Sequence, residues 1–301
     1  FNYSRFIFCL PKLISFINKE KFDVVLSTFP NISVALIFLK IIKFCNIKVI
    51  VRQPNMVEPS MKNKTKLIFL KYIYKRVIKY ADAIIVTSKY MYKEALANQI
   101  NRNKIYLLSN PINPCITRQG VSPLRTKGKK IKLIFVGRLV YQKGIDRVLH
   151  FFKKNSDLEL ILVGDGEEKE KLMAMAERYN NENNITFLGL KKNPYNLIAG
   201  ADYFLLPSRW EGLPNSVLES LVLGTPVISF KNIFALKDFK KNLKNNSIVL
   251  CENEKVLEKY LFTLKRRKDY IKPKLRKSLL KNYVSTDSFQ KIINKIIINL
   301  V

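Results

Sequence analysis

Three short segments carry residues whose types and spacing suit gripping an anion and the hydroxyls beside it. The first is Gly137-Arg138-Leu139 followed by Gln142-Lys143-Gly144. Gly137 allows a tight turn and close approach of backbone to a ligand. Arg138 presents a planar fork of donors and Lys143 a compact charge, so the two cations can reach one diphosphate. The second segment, Val163-Gly164-Asp165-Gly166, opens its backbone to a ligand through Gly164 and Gly166, without the full spacing of a dinucleotide fingerprint. The third runs Pro207-Ser208-Arg209-Trp210-Glu211-Gly212-Leu213-Pro214-Asn215-Ser216-Val217-Leu218-Glu219. Asn215 and Ser216 are good cap residues for a helix starting there. The free N–H groups and positive dipole end of such a helix form a phosphate site. Glu211 precedes that helix and Glu219 lies inside it, where carboxylates suit neutral hydroxyl donors flanking an amide-held phosphate. Taken singly, the segments reduce to a turn glycine with two solvated cations, an ordinary turn, and a capping Glu with a surface Glu.

These segments need strands to end where they begin, and the chain supplies them. Short apolar runs occur at Asp23–Thr28, Lys48–Arg52, Asp82–Ser88, Lys104–Ser109, Lys132–Val136, Leu158–Val163, Asn184–Leu188, Tyr203–Pro207, Pro226–Phe230 and Ile248–Cys251. Continuous Val/Ile/Leu/Phe runs predict strands buried on both faces. Helix-length gaps between them predict βαβ units and parallel sheets. In such sheets ligands bind outside the carboxyl ends of strands, which is where all three segments fall. Pro111, Pro114, Gly120, Pro123 and Gly128 break the alternation and read as a linker between two α/β domains. Ser288–Val301 reads as a terminal helix.

Together, the three segments give the sequence its resemblance to the family 4 retaining glycosyltransferases of the GT-B fold. The Glu-x7-Glu signature of that family is matched by Glu211 and Glu219, and its Gly-Arg-Leu…Lys-Gly element by Gly137, Arg138, Leu139, Lys143 and Gly144. Its Gly-Asp-Gly turn is matched by Gly164, Asp165 and Gly166, and a small-residue segment by Gly224-Thr225-Pro226-Val227. The resemblance implies two Rossmann-like doubly wound parallel-sheet domains facing across a cleft. It divides the chain into residues 1–122 as the acceptor-side domain, 123–285 as the nucleotide-sugar domain, and 286–301 as a helix packing back on the first. It implies transfer of a sugar from a nucleotide sugar, by default UDP-hexose or UDP-N-acetylhexosamine, to a saccharide or lipid-linked saccharide, with retention. Arg138, Lys143 and Glu211 take the catalytic roles. Gly137, Gly164, Asp165, Gly166, Gly212, Leu213, Pro214, Asn215, Ser216, Val217 and Glu219 hold the donor. No metal and no other cofactor is implied.

The first half is similar less specifically, through Leu10-Pro11-Lys12-Leu13, Lys21-Phe22-Asp23-Val24-Val25 and Val51-Arg52-Gln53-Pro54-Asn55. By comparison with the family its opening strand and Gly-rich loop are expected to be missing. A histidine that many members place near Arg52, Gln53 and Asn55 is missing as well. A non-catalytic remnant binding a nucleotide sugar or a partner is therefore the alternative expectation.

Composition bounds what remains. The 301 residues carry a formal charge of +31, of which residues 1–130, with 24 Lys and Arg against five acids, contribute +19. Such charge raises nucleic acid, a membrane surface or a phosphorylated small molecule as partners, or simple compositional bias. No nucleic-acid-binding motif accompanies it. Along Lys64–Ala81, Leu67, Leu70, Tyr74, Val77, Ile78 and Ala81 share one helical face, with Lys64, Lys71, Lys75 and Lys79 beside it. A basic amphipathic helix suits an anionic membrane surface, here the cytoplasmic face of an inner membrane. Ile32–Val51 is interrupted by Lys40, Lys43 and Lys48 and predicts a core helix running into a strand rather than a membrane span. Cys9, Cys45, Cys115 and Cys251 lie far apart, predicting free thiols in a reducing cytoplasm, and the lone His150 reads as structural.

Overall fold

The computed structural model describes residues 3–56, 65–112, 116, 129–153, 156–179, 184–243, 247–265 and 286–301. The chain divides into two compact units, Phe1–Leu108 with Phe289–Val301, and Ser109–Ser288. The boundary expected at residue 122 falls outside the described residues, as does Lys64 of the basic stripe.

In the first unit four strands, β1 (Val24–Ser27), β2 (Lys48–Gln53), β3 (Ala83–Val86) and β4 (Ile105–Leu107), form a sheet in the order β1-β2-β3-β4. Every pairing is parallel. The apolar runs explain this arrangement: all of Ala83–Val86 is buried, which only a central strand with both faces covered allows. The expected core helix is Pro30–Ile41, with Leu36 and Ile37 in the core, and it leads into β2. Thr65–Val77 is helical and continues as a tight turn over Ile78–Tyr80. Tyr74, Ile78 and Ala81 of its apolar face are buried, whereas Tyr72 and Lys79 are exposed. The terminal helix Thr286–Ile298 contributes Ile296 to the buried interior, and Phe289 lies 5.8 Å beneath the Arg52 guanidinium.

The second unit is built on β5 (Ile131–Val136), β6 (Leu158–Val163), β7 (Ile185–Gly189), β8 (Tyr203–Leu206), β9 (Val227–Phe230) and β10 (Ile248–Cys251). They are parallel and ordered β10-β9-β8-β5-β6-β7. Successive strands step outward from β5 to β7; the chain then returns to the other side of β5 and steps outward again. Phe135, Phe152, Phe204 and Phe230 are fully buried between sheet and helices. Each such side chain contributes about 1.5–3 kcal/mol of transfer free energy. The order reverses between β5 and β8, and that reversal opens the crevice where doubly wound sheets bind ligands.

Among the described residues no helix is long and apolar enough to cross a membrane. Cys45 and Cys251 are buried free thiols. His150 packs its ring on Phe151 at 4.0 Å and near Tyr179, a structural placement.

Candidate active site

The loops after β5 and β8 meet at the point of reversal. The turn after β5 runs through Gly137–Leu139 and tightens over Tyr141–Lys143 into Gly144, at φ +66°. Gly144 is required twice over. Its backbone is left-handed, and a Cβ there would sit 2.4 Å from the Pro207 carbonyl oxygen at the end of β8. Arg147 donates to that same oxygen at 3.0 Å. The turn after β6 packs on the turn after β5 just as closely: a Cβ on Gly164 would lie 1.8 Å from the Gly137 oxygen, and one on Gly166 2.3 Å from the Leu139 oxygen. The amides of Gly137 and Leu139 donate to the carbonyls of Val163 and Asp165. Asp165 turns its carboxylate onto the Gly166 amide. The first two segments are thus one layered structure.

Lys143 reaches from this layer to the third segment. Its Nζ donates to Glu211 Oε1 at 2.7 Å, and the Ser208 hydroxyl donates to the same oxygen at 2.7 Å. Gln142 Nε2 approaches the other carboxylate oxygen at 3.5 Å and donates to the Trp210 carbonyl at 2.9 Å. Glu211 is only 6% exposed. A buried carboxylate needs a partner, and Lys143 supplies both charge and proton. Arg138, by contrast, is exposed, and its guanidinium makes no hydrogen bond or ion pair among the described residues.

The third segment enters the helix Asn215–Leu223 as expected, with a different cap. Pro214 holds the N-cap position, no side chain caps the helix, and Asn215 is its first residue. The Asn215 side chain instead accepts from Asn110 Nδ2 at 2.6 Å; the same nitrogen donates to the Leu213 carbonyl at 3.0 Å. The first-turn amides are left without a side-chain partner, the condition a phosphate requires. Val217 and Leu218 are buried against the core, and Ser216 lies at the rim. Glu219 is half-buried, and its carboxylate has no hydrogen-bond or ion-pair partner among the described residues. Burial alone pushes its carboxyl pKa up. An ionisable group desolvated without compensation lowers stability and marks a place where a ligand can supply the missing partner.

Several residues that hold the site carry no pattern in the sequence. Arg209 makes a two-point ion pair with Asp146, at 2.8 and 2.6 Å, donates to the Tyr141 carbonyl, and lies 3.9 Å over the Tyr141 ring. Burial pulls the Asp146 carboxyl upward, but the hydrogen bonds and charge of Arg209 outweigh it and hold the group below the usual range. Asn110 and Asp146 stand outside the three segments, and Ser208 and Arg209, though within the third, match no signature; the fold brings Asn110 to Leu213 and Arg209 to Tyr141 and Asp146.

The profile of the Glycosyl transferases group 1 family matches residues 121–283, more than half of the chain. The chain belongs to this family. Residues 1–114 match a second profile, Glycosyltransferase Family 4, so each unit of the chain finds its counterpart. An uncharacterized glycosyltransferase of Methanocaldococcus jannaschii is 36% identical over 55% of this chain and 43% of its own length. The N-acetylgalactosamine-N,N'-diacetylbacillosaminyl-diphospho-undecaprenol 4-alpha-N-acetylgalactosaminyltransferase of Campylobacter jejuni is 28% identical over 70% of this chain and 59% of its own. The chain therefore spans about half the length of these relatives. HepE of Anabaena, solved with UDP and glucose, superposes with a TM-score of 0.76 at 16% identity, covering 95% of this chain and 80% of HepE. That likeness shows the fold: two Rossmann-like domains of the GT-B kind, one for each parallel sheet of the chain.

Proposed function

We propose that this chain is a retaining glycosyltransferase. It moves a sugar from a nucleotide-sugar donor, by default UDP-hexose or UDP-N-acetylhexosamine, to a saccharide or lipid-linked saccharide in the synthesis of a surface polysaccharide. The observation that carries the reading is the Lys143–Glu211 pair at the reversal between β5 and β8, with Glu219, whose carboxylate has no partner among the described residues, eight residues on. This crevice offers a cation, a rim guanidinium and uncapped helix amides for a diphosphate, and two carboxylates for hydroxyls on either side of it.

In the proposed reaction the bond between the anomeric carbon and the diphosphate oxygen breaks, and negative charge grows on the departing diphosphate. Lys143, Arg138 and the amides of the helix starting at Asn215 stabilise that charge where it develops. Glu211 binds hydroxyls of the donor sugar and Glu219 those of the ribose. The glycines at 137, 164, 166 and 212 let the donor lie against backbone. The acceptor hydroxyl attacks the face the diphosphate leaves and passes its proton to the departing diphosphate oxygen, so configuration is kept without a covalent intermediate. The two-carboxylate scheme of glycoside hydrolases needs acids on both sides of the scissile bond; Glu211, held by Lys143 and Ser208, is better suited to hydroxyl binding. The reading needs no metal, since Lys143 and Arg138 supply the positive charge.

The names of the relatives support a saccharide acceptor: besides the Campylobacter enzyme, similar chains include an amylovoran and an O-antigen biosynthesis glycosyltransferase. HepE and its UDP support the donor class. The proposed location is the cytoplasmic face of a membrane, met through Lys71, Lys75 and Lys79. The test is a donor screen reading released nucleoside diphosphate with a polyprenyl-diphosphate saccharide as acceptor. UDP release from one UDP-sugar, lost in Glu211→Ala, supports the reading. Unchanged transfer in Glu211→Ala and Arg138→Ala overturns the site.

A further inference from the structure

The turn that carries Lys143 has little to hold it in place by itself. It is a single tight turn over Tyr141–Lys143, closed by the Lys143 amide on Val140 and the Gly144 amide on Tyr141. Turns of this kind have poor hydrogen-bond geometry and depend on what packs against them. What packs against this one is Arg209. Its backbone amide donates to the Gln142 carbonyl at 2.8 Å. Its guanidinium donates to the Tyr141 carbonyl, covers the Tyr141 ring and grips Asp146 at two points. One residue therefore touches the chain on both sides of Lys143, while standing two positions before Glu211. Asn232 fixes Arg209 in turn, donating to its carbonyl oxygen at 2.6 Å.

We propose that the Arg209–Asp146 pair is a positioning clamp: it sets the distance between Lys143 and Glu211 and so the affinity for the donor's diphosphate. Both partners are about one-fifth exposed, so solvent screens the pair less than it screens a fully exposed one. The planar fork matters more than the charge, because it meets Asp146 at two atoms while stacking on Tyr141, which an ammonium cannot do. Arg209 is not itself a diphosphate ligand in this account. Its donors are directed at Asp146 and Tyr141, and Lys143 is the cation turned toward the crevice. The second half of the proposal, donor affinity, rests on the nucleotide-sugar reading; the first half, the Lys143–Glu211 distance, does not.

The test follows that division. Amine footprinting of Lys143 by mass spectrometry, on the full chain, compares wild type with Arg209→Lys and Asp146→Asn, using Glu211→Gln as the reference in which Lys143 has lost its partner. The clamp predicts that Lys143 labels several-fold faster in both conservative variants, approaching the reference, in protein that still melts cooperatively. A pair that only adds stability would lower Tm and leave Lys143 labelling at the wild-type rate, and that result overturns the proposal. Calorimetric titration with UDP is the second readout. Both variants should bind UDP about tenfold more weakly, equivalent to about 1.4 kcal/mol of lost positioning. If Asp146→Asn instead bound UDP more tightly, the freed guanidinium would be the ligand and the clamp reading would be wrong. If wild type bound no UDP, the proposed donor class would fail, and the footprint would still decide the clamp.

Discussion

Glu211 and Lys143 neutralise each other in the unliganded site, and this has opposite consequences for the two steps in which they act. Glu211→Gln removes a negative charge from beside the proposed diphosphate and releases Lys143 from its 2.7 Å ion pair. Because Arg209 and Asp146 still hold the Lys143 turn in place in this variant, UDP, which has no sugar for Glu211 to hold, should bind it at least as tightly as wild type, while sugar transfer falls by about 100-fold or more, the scale of losing one stabilising contact made at the reacting centre. Parallel calorimetry and product assays would show the split; equal loss of both would place Glu211 in the diphosphate site instead. Glu219 gives a second residue-scale prediction. Its folded-state pKa is raised by burial, so the ionised form costs stability above the unfolded carboxyl value of about 4.3 and costs nothing well below it. Glu219→Gln should raise Tm at pH 7, with the gain vanishing below about pH 4. Thermal melts across that range check it, and a variant less stable at pH 7 would show that the carboxylate has a partner in the fold.

The site belongs to loops, but strands and their order put it together. The strands were legible because buried parallel strands read as unbroken apolar runs: Leu158–Val163 and Ile248–Cys251 begin and end where the sequence places them. The start of the helix at Asn215 was legible too, from the Gly-Leu-Pro-Asn-Ser run. Its cap was not, because whether Asn215 turns back on its own helix or out to Asn110 depends on a residue more than a hundred positions away. The same holds for Arg209 and Asp146, whose pairing follows from β8 lying beside β5, a fact about strand order that no local pattern contains. Glycine was informative where a strand end had to pass close to another. Gly144→Ala puts a Cβ 2.4 Å from the Pro207 oxygen on a backbone with positive φ. It should cost about 1–3 kcal/mol through strain alone, and should shift Lys143 away from Glu211. Chemical denaturation measures the first effect; an unchanged midpoint would show that the two loops are not pressed together.

At the scale of the whole molecule the charge separates into two roles. Lys143 and Arg138 belong to the second unit and to its crevice. Most of the excess over residues 1–130 lies in the first unit, where Lys71, Lys75 and Lys79 flank an exposed Tyr72 on the helix and turn from Thr65 to Tyr80. If this face meets a membrane, the full chain should co-sediment with vesicles containing anionic lipid and not with zwitterionic ones. Binding should weaken as salt shortens the screening length to about 8 Å at physiological ionic strength. Lys71→Glu with Lys75→Glu and Lys79→Glu should abolish it. Salt-independent binding, or binding that survives the triple change, would contradict the assignment.

The central claim is that a nucleoside diphosphate sits at the reversal between β5 and β8, against Lys143. Trp210, the single tryptophan of the chain, adjoins Glu211 and receives a hydrogen bond from Gln142 on its carbonyl. Its fluorescence therefore reports on the site during a titration with UDP. Wild type should give a saturable change, and Lys143→Ala the same change shifted to at least about tenfold higher UDP, the equivalent of 1.4 kcal/mol. A saturable response with the same midpoint in both proteins would contradict the account.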